Sequence, residues 1–191
     1  MPMIQADDGV RLYAESTGSG TPMLFIHEFA GDHRSWEPQV QYFSAGLECI
    51  TYSARGYPPS DVPADPSAYS QQRAVDDAIC VLDALGVPRA HVVGLSMGGF
   101  TALHLAMQYP DWLLSAVAAG AGYGAQPGRQ DQFRRECEAT AAAFESEGAA
   151  RVARRYAAGP ARPASSSRTR TRAPGPSSPP RSASTPRPGL R

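Results

Sequence analysis

The sequence contains no lysine, and all 18 of its basic residues are arginine. Its three cysteines, Cys49, Cys80 and Cys137, share no spacing typical of a disulfide framework or a metal or redox site. No metal cluster, phosphate-binding loop or dinucleotide fingerprint occurs in the sequence, so we expect no metal and no cofactor. No stretch approaches the roughly 20 apolar residues that span a bilayer. The first residues lack a charged start followed by an apolar run, so we expect a cytoplasmic protein with no membrane partner.

Charge is divided unevenly along the chain. All 18 acidic residues lie at or before Glu147, whereas 11 arginines precede Gly159 and seven follow it. The body therefore carries a net charge of −7 and the tail one of +7. The tail has no acidic or aromatic residue, and Leu190 is its one large aliphatic side chain, so we expect disorder there. These patterns predict a folded region over 1–158 and a disordered tail rich in Arg, Ser and Pro over 159–191.

The folded region alternates strand and helix patterns. Strand character falls at 10–15, 22–27, 48–52, 91–93 and 113–119, and helical spacing at 69–85, 100–109 and 131–155. A further short helix begins near Ser35. The first strand alternates, as an edge or half-exposed strand does, whereas the later ones are apolar throughout. This order predicts an α/β protein with a mostly parallel sheet and helices on both faces.

One motif in the sequence is typical of a catalytic serine. Gly94-Leu95-Ser96-Met97-Gly98 matches G-x-S-x-G and lies between a predicted strand and a predicted helix, which is the context that this motif requires. Glycine is needed on either side because side chains there would collide with the neighbouring strand and helix. The Ser96 hydroxyl would then stand at a helix N-terminus, where backbone N–H groups favour developing negative charge. The alternative is a glycine-rich turn that contains an incidental serine.

With these residues, the sequence resembles the α/β-hydrolase superfamily, in particular its cofactor-free esterases, enol-lactonases and haloperoxidase-like members. The resemblance covers roughly 10–123. It rests on Phe25-Ile26-His27-Glu28-Phe29, on the stretch from Ser53 to Ser60, and on the sharp turn at 94–98 that contains Ser96, called the elbow. It implies that Ser96 is the nucleophile and that the backbone N–H groups of Met97 and Phe29 form the oxyanion hole. Gly94, Gly98 and His27 are implied as supports of the elbow and the loop.

The chain departs from the family pattern at several positions. Glu28 stands where the family usually has Gly, and we expect its side chain to face solvent. Ser53 and Pro58 replace the usual Asp and Gly, and we interpret Arg55 as a loop anchor.

The base and the acid are harder to place. In the family the acid and then the histidine follow the nucleophile, but only His104 follows Ser96, and it is predicted to lie two turns into a helix. His27 belongs to the loop that contains Phe29 of the implied oxyanion hole. His91 begins the strand before Ser96 and lies at the opposite end of that strand. His33 is the remaining candidate for the base. No carboxylate follows the sixth strand closely. The sequence therefore predicts a fold that is truncated after about the sixth strand, with the start of a cap and an incomplete catalytic set.

Three functions remain open. The first is a serine hydrolase that acts on a carboxylic ester, lactone or similar small acyl substrate through an acyl-Ser96 intermediate. The second is an inactive remnant or a binding module, and whether a histidine reaches Ser96 distinguishes it from the first. The third is a nucleic-acid binder that uses the seven arginines of the tail. We expect no nucleic-acid partner, because the tail has no aromatic residue for base stacking. The sequence does not indicate the oligomeric state.

The abrupt change in composition near Pro163 leads to a further hypothesis, that the tail derives from a frameshift. Permitted codons for 165–186, read one base earlier, can encode a peptide with a helix start at Asp-Pro and apolar residues at helical spacing. The intact gene would then continue in the other frame.

Overall fold

The computed structural model of the chain describes residues 3–122 and 124–158. Six strands form one sheet in the order β1-β2-β4-β3-β5-β6. The strands are β1 Met3–Gln5, β2 Arg11–Thr17, β3 Thr21–Ile26, β4 Leu47–Tyr52, β5 Ala90–Leu95 and β6 Leu113–Ala119. Strands β4, β3, β5 and β6 pair in parallel, whereas β1 and β2 pair antiparallel at one side. The predicted α/β fold with a mostly parallel sheet is confirmed.

Helix α1 Glu37–Phe43 lies on one face of this sheet, and α2 Gln71–Ala84 and α3 Met97–Gln108 lie on the other. Two further helices, α4 Gln130–Glu147 and α5 Ala149–Ala157, follow β6 in the chain. Short 3-10 turns at His33–Trp36, Pro66–Ala68 and Pro110–Trp112 precede α1, α2 and β6. On one face the ring of Trp36, just before α1, lies 5.1 Å from that of Phe25 on β3.

The main core lies on the other face, where α2 and α3 pack. Residues of α2 at 75, 78, 81 and 82 fall on one side of the helix and are fully buried. They join the alternate residues of the strands that point to this face, such as Leu24, Ile50 and Val92. The core therefore fixes the sheet beneath the carboxyl ends of β3, β4 and β5, where parallel strands place their functional loops.

Three local predictions differ from the structure, and one cannot be compared with it. Strand β1 was not predicted; because it pairs with β2, β2 is half-exposed but is not an edge strand. Helix α3 begins at Met97, three residues before the predicted Phe100, since the helix starts directly behind Ser96. The segment 131–155 is two helices, and not one, because Gly148 between them has φ +80°. The predicted tail over 159–191 lies outside the described residues.

The chain divides into two compact units within α4, at Ala142 and Ala143. The first contains the sheet and α1 to α3. In the second, the Glu147 carboxylate accepts hydrogen bonds from Arg155 at 2.8 Å and lies 3.2 Å from Nε of Arg151. This cluster joins the end of α4 to α5 across Gly148.

Candidate active site

Ser96 occupies a strained turn between β5 and α3. Its φ of 52° and ψ of −111° make it the one non-glycine residue in the described part of the chain with a positive φ. Such a conformation costs about 1–3 kcal/mol and persists where the surroundings enforce it, often at functional sites. The turn leaves the half-buried Ser96 at the N-terminus of α3.

Close backbone approach on both sides of Ser96 explains the glycines of the motif. A Cβ at Gly94 would overlap the carbonyl oxygen of Gly98. A Cβ at Gly98 would overlap the carbonyl oxygen of Ile26 and lie 2.8 Å from that of His27. Gly94 therefore lets the first turn of α3 approach the end of β5, and Gly98 lets it approach the end of β3. A side chain at either position would prevent that contact.

The backbone around Ser96 offers N–H groups to an anion. Met97 is the first residue of α3, and the first N–H groups of a helix have no partner within it. The N–H of Ser96 itself donates to the carbonyl of Ala119 at 2.8 Å, which ties the elbow to β6. Phe29 lies in the loop after β3, the strand adjacent to β5, so its loop and the elbow emerge side by side from the sheet.

His27 joins two loops and is fully buried. The backbone N–H of Ala54 donates to its Nε2 at 3.0 Å, so the proton is assigned to Nδ1, which donates to the carbonyl of Glu28 at 2.8 Å. Burial lowers the pKa of His27, which favours this neutral form. Since both ring nitrogens are engaged, His27 holds the loop after β3 against the loop after β4 and offers no free base.

Arg55 anchors the loop after β4. Its Nε and Nη2 donate to the two carboxylate oxygens of Asp77 on α2, each at 2.7 Å, and its Nη1 donates to Asp8 at 2.7 Å and to the carbonyl of Ala68 at 2.8 Å. Both Arg55 and Asp77 are buried. The hydrogen bonds from Arg55 to Asp77 raise the pKa of Arg55, which is therefore positively charged. These contacts are those of a loop anchor, as interpreted from the sequence.

Glu28 does not face solvent as expected. The residue is half-buried, its Oε2 is shielded from solvent, and its Oε1 would lie 2.7 Å from a Cβ at Gly31. The carboxylate therefore folds back over Gly31, where the absence of a side chain gives it room. The expectation was wrong because the turn from Glu28 to Gly31, closed by a 3.1 Å backbone hydrogen bond, reverses the loop.

Three of the histidines lie far from Ser96. His33 bonds Ser53 Oγ through Nδ1 at 2.9 Å, and its Nε2 lies 3.8 Å from Glu15 on β2. These contacts place the ring at the ends of β2 and β4, two to three strand spacings from β5, or about 10–14 Å. His91 lies at the start of β5, five residues before Ser96, and pairs with Ser115. His104 is two turns along α3, about 12 Å by helical rise.

The described part of the chain therefore provides no imidazole that reaches the Ser96 hydroxyl. It also shows no group of three or more His, Cys, Asp or Glu side chains placed to hold a metal ion. None of its helices is both long enough and apolar enough to cross a bilayer.

Comparison with known proteins places this geometry in a family. The sequence profile of the alpha/beta hydrolase fold matches residues 21–182. The chain belongs to the α/β-hydrolase family. The resemblance inferred from the loop after β3, the loop after β4 and the elbow is thereby confirmed.

Relatives within the family carry different names. The chain is 35% identical over 113 residues to epoxide hydrolase 1 of Siraitia grosvenorii, which covers 59% of the chain and 36% of that protein. It is 34% identical over 105 residues to 3-oxoadipate enol-lactonase 1 of Acinetobacter baylyi, covering 54% of the chain and 38% of that enzyme. The structure of Est816, described as an N-acyl homoserine lactone degrading enzyme, is 33% identical, with a TM-score of 0.60 over 76% of this chain and 52% of that one. The chain thus spans just over a third of the length of these curated relatives.

Proposed function

We propose that Ser96 is the nucleophile of a hydrolase that acts on a carboxylic ester, a lactone or a similar acyl compound through an acyl-Ser96 intermediate. The single observation that carries this proposal is the strained backbone of Ser96, φ 52°, at the N-terminus of α3. A serine held there has its hydroxyl beside N–H groups that can stabilise an oxyanion. We assign the backbone N–H groups of Met97 and Phe29 to that role, with Gly94, Gly98 and His27 as supports.

The serine side chain favours acyl substrates over epoxides, although both kinds of name occur among the relatives. Attack by the Ser96 hydroxyl on an acyl carbonyl forms a serine ester while the bond to the alcohol oxygen breaks, and that oxygen leaves with the hydroxyl proton. Water then attacks the serine ester, which releases the carboxylic acid and restores the hydroxyl. Attack by the same hydroxyl on an epoxide carbon would give an alkyl ether, which has no carbonyl for water to attack. An epoxide would therefore leave Ser96 permanently alkylated.

Without a base, both acylation and deacylation are slow. Enzymes of this type that lose a catalytic side chain retain roughly 10³–10⁴-fold acceleration over water, from the oxyanion hole and substrate binding. We therefore propose weak turnover for this chain, with the acyl form of Ser96 persisting long enough to be detected. A non-catalytic binding role is the second candidate, and the absence of a histidine near Ser96 in the described residues favours it.

A panel of one aryl ester, one lactone and one epoxide tests the proposal. Release of product and the mass of the intact protein are followed for the parent, for Ser96→Ala and for Ser19→Ala, a control at an exposed serine between β2 and β3. We expect the ester or the lactone to be cleaved slowly with a transient acyl adduct, both lost in Ser96→Ala and retained in Ser19→Ala. Equal product release by all three proteins would assign the activity to another residue or to solvent.

A further inference from the structure

Tyr57 reaches the elbow from the loop after β4. Its hydroxyl lies 3.7 Å from Sδ of Met97, the residue that directly follows Ser96. Its ring stands edge-on to that of His27, with a centroid distance of 4.7 Å. The half-buried phenol ring therefore lies beside the residue whose N–H is assigned to the oxyanion.

The backbone of Tyr57 is held from both sides. Its N–H donates to the carbonyl of Ala54 at 3.0 Å, and its carbonyl accepts the N–H of Ser60 at 3.0 Å. Two residues earlier, the buried Arg55 fixes the loop to Asp77 on α2. The ring is thus carried by an anchored turn, and a substrate group that meets it cannot easily displace it.

The opposite side of Ser96, toward β6, is lined by small residues. Ala119 accepts the N–H of Ser96, and the next two residues are Gly120 and Ala121. A Cβ built on Gly120 would lie 3.4 Å from Cδ1 of Leu95 and 3.8 Å from the nitrogen of Ser96, so glycine leaves room close to the nucleophile that the flexible Leu95 side chain borders. Of the two sides on which substituents of a reacting carbonyl can lie, the β4 side has the aromatic ring of Tyr57, whereas the described residues 119–122 on the β6 side carry no ring.

We infer that Tyr57 determines substrate size, because its ring limits the substituent that lies on the β4 side of the carbon attacked by Ser96. This inference rests on the proposed function. The ring, and not the hydroxyl, sets the limit, since the restriction is one of volume. One methylene group too many or too few in such a pocket changes the rate by about 10–200-fold.

Two fluorophosphates test this inference without requiring turnover. Dimethyl and diisopropyl fluorophosphate each carry two identical arms, so the same arm meets Tyr57 whichever way the reagent binds. In each reaction the Ser96 oxygen bonds to phosphorus, the phosphorus–fluorine bond breaks, fluoride leaves and the hydroxyl proton passes to water. Mass spectrometry follows the labelling of Ser96, and the measured quantity is the labelling rate with the diisopropyl reagent divided by that with the dimethyl reagent. When this ratio is compared between variants, the difference in intrinsic reactivity between the two reagents cancels.

We expect Tyr57→Ala to raise this ratio by about tenfold or more, and Tyr57→Phe to leave it within about twofold of the parent. Tyr57→Trp places a larger ring on the β4 side of Ser96 and is expected to lower the ratio. This variant keeps the test decisive if the alanine variant unfolds. Tyr42→Ala, at a ring that is 76% exposed on α1, is the control and should leave the ratio unchanged.

The outcomes separate the two proposals. If the parent is labelled at Ser96 but the ratio is the same in Tyr57→Ala, Tyr57→Trp and the parent, the inference about Tyr57 is wrong and the nucleophile assignment stands. If neither reagent labels Ser96 in the parent, the proposed function fails and the inference fails with it.

Discussion

Replacing Gly98 by alanine gives the sharpest test of the elbow geometry, because two general rules predict opposite results. Gly98 lies in the first turn of α3, and alanine is favoured over glycine inside a helix by about 1 kcal/mol. On propensity alone, Gly98→Ala would stabilise the protein. In the structure, however, the added Cβ would overlap the carbonyl oxygen of Ile26. That oxygen belongs to the backbone of a central strand and cannot rotate away as a side chain can.

The expected result is a net loss of stability. Forcing one extra carbon into a packed site costs about 1–3 kcal/mol, and a rigid backbone partner places the cost near the upper end. At a slope of about 2 kcal/mol per molar urea, the unfolding midpoint falls by roughly 0.5–1.5 M. Labelling of Ser96 should also slow, because the carbonyl of His27 is displaced together with the loop that carries Phe29.

Gly46 provides a matched control in the turn before β4. A Cβ there would meet no atom within 4 Å, and its φ is not in the left-handed region. Gly46→Ala should therefore raise the free energy of unfolding by about 0.4–1 kcal/mol, by restricting the unfolded chain. Equilibrium urea unfolding followed by tryptophan fluorescence measures both variants. A Gly98→Ala midpoint equal to or above that of the parent would refute the close approach of α3 to β3.

Three other predictions address the sheet edge, a capping carboxylate and the tail. In the described residues β6 pairs on one side only and has no charged residue, and Val117 is 51% exposed. Val117→Lys should therefore reduce self-association, measured by analytical sedimentation, because a charge at a sheet edge opposes pairing with another chain. An unchanged distribution of oligomers would argue against an exposed edge. The Asp32 carboxylate accepts a hydrogen bond from Arg34, which lowers the pKa of Asp32 from 3.8 to about 2. The carboxylate therefore adds stability that is fully present above pH 3.8 and is lost as the pH falls to about 2. The parent should lose more stability than Asp32→Asn over that interval of acid unfolding, and parallel curves would assign the effect to other groups. For the tail, codons over 165–186 that cannot encode a helical peptide one base earlier would end the frameshift hypothesis.

Much of the sheet could be predicted from the sequence because its central strands are continuous apolar runs separated by helical spacing. Strand β1 could not, since Met3–Gln5 is three residues long and acquires its structure by pairing with β2 across the turn at Gly9. The start of α3 was predicted three residues too late, because Gly98 and Gly99 look unfavourable for a helix until the tight contacts of Gly98 with β3 and of Gly99 with Ala119 are known.

At the candidate site, the G-x-S-x-G motif predicted the strand, turn and helix around Ser96, since these three segments are contiguous in the chain. Contacts between distant segments carry no such local pattern. The hydrogen bond from Ala54 to His27 and the ion pair of Arg55 with Asp77 join segments 27 and 22 residues apart. The approach of Tyr57 to Met97 spans 40 residues and depends on how the anchored loop folds over the sheet. The turn-rich stretch that begins at Arg55 indicated an anchored loop but not the partner of the arginine.

The most direct test of the central claim identifies the residue that a serine-directed fluorophosphonate modifies. The parent, Ser96→Ala and Ser19→Ala are exposed to the reagent for long periods, digested, and mapped by peptide mass spectrometry. Our account predicts one adduct, on the peptide that contains Ser96, in the parent and in Ser19→Ala, and none in Ser96→Ala. Adducts that persist unchanged in Ser96→Ala would contradict the assignment of Ser96 as the nucleophile.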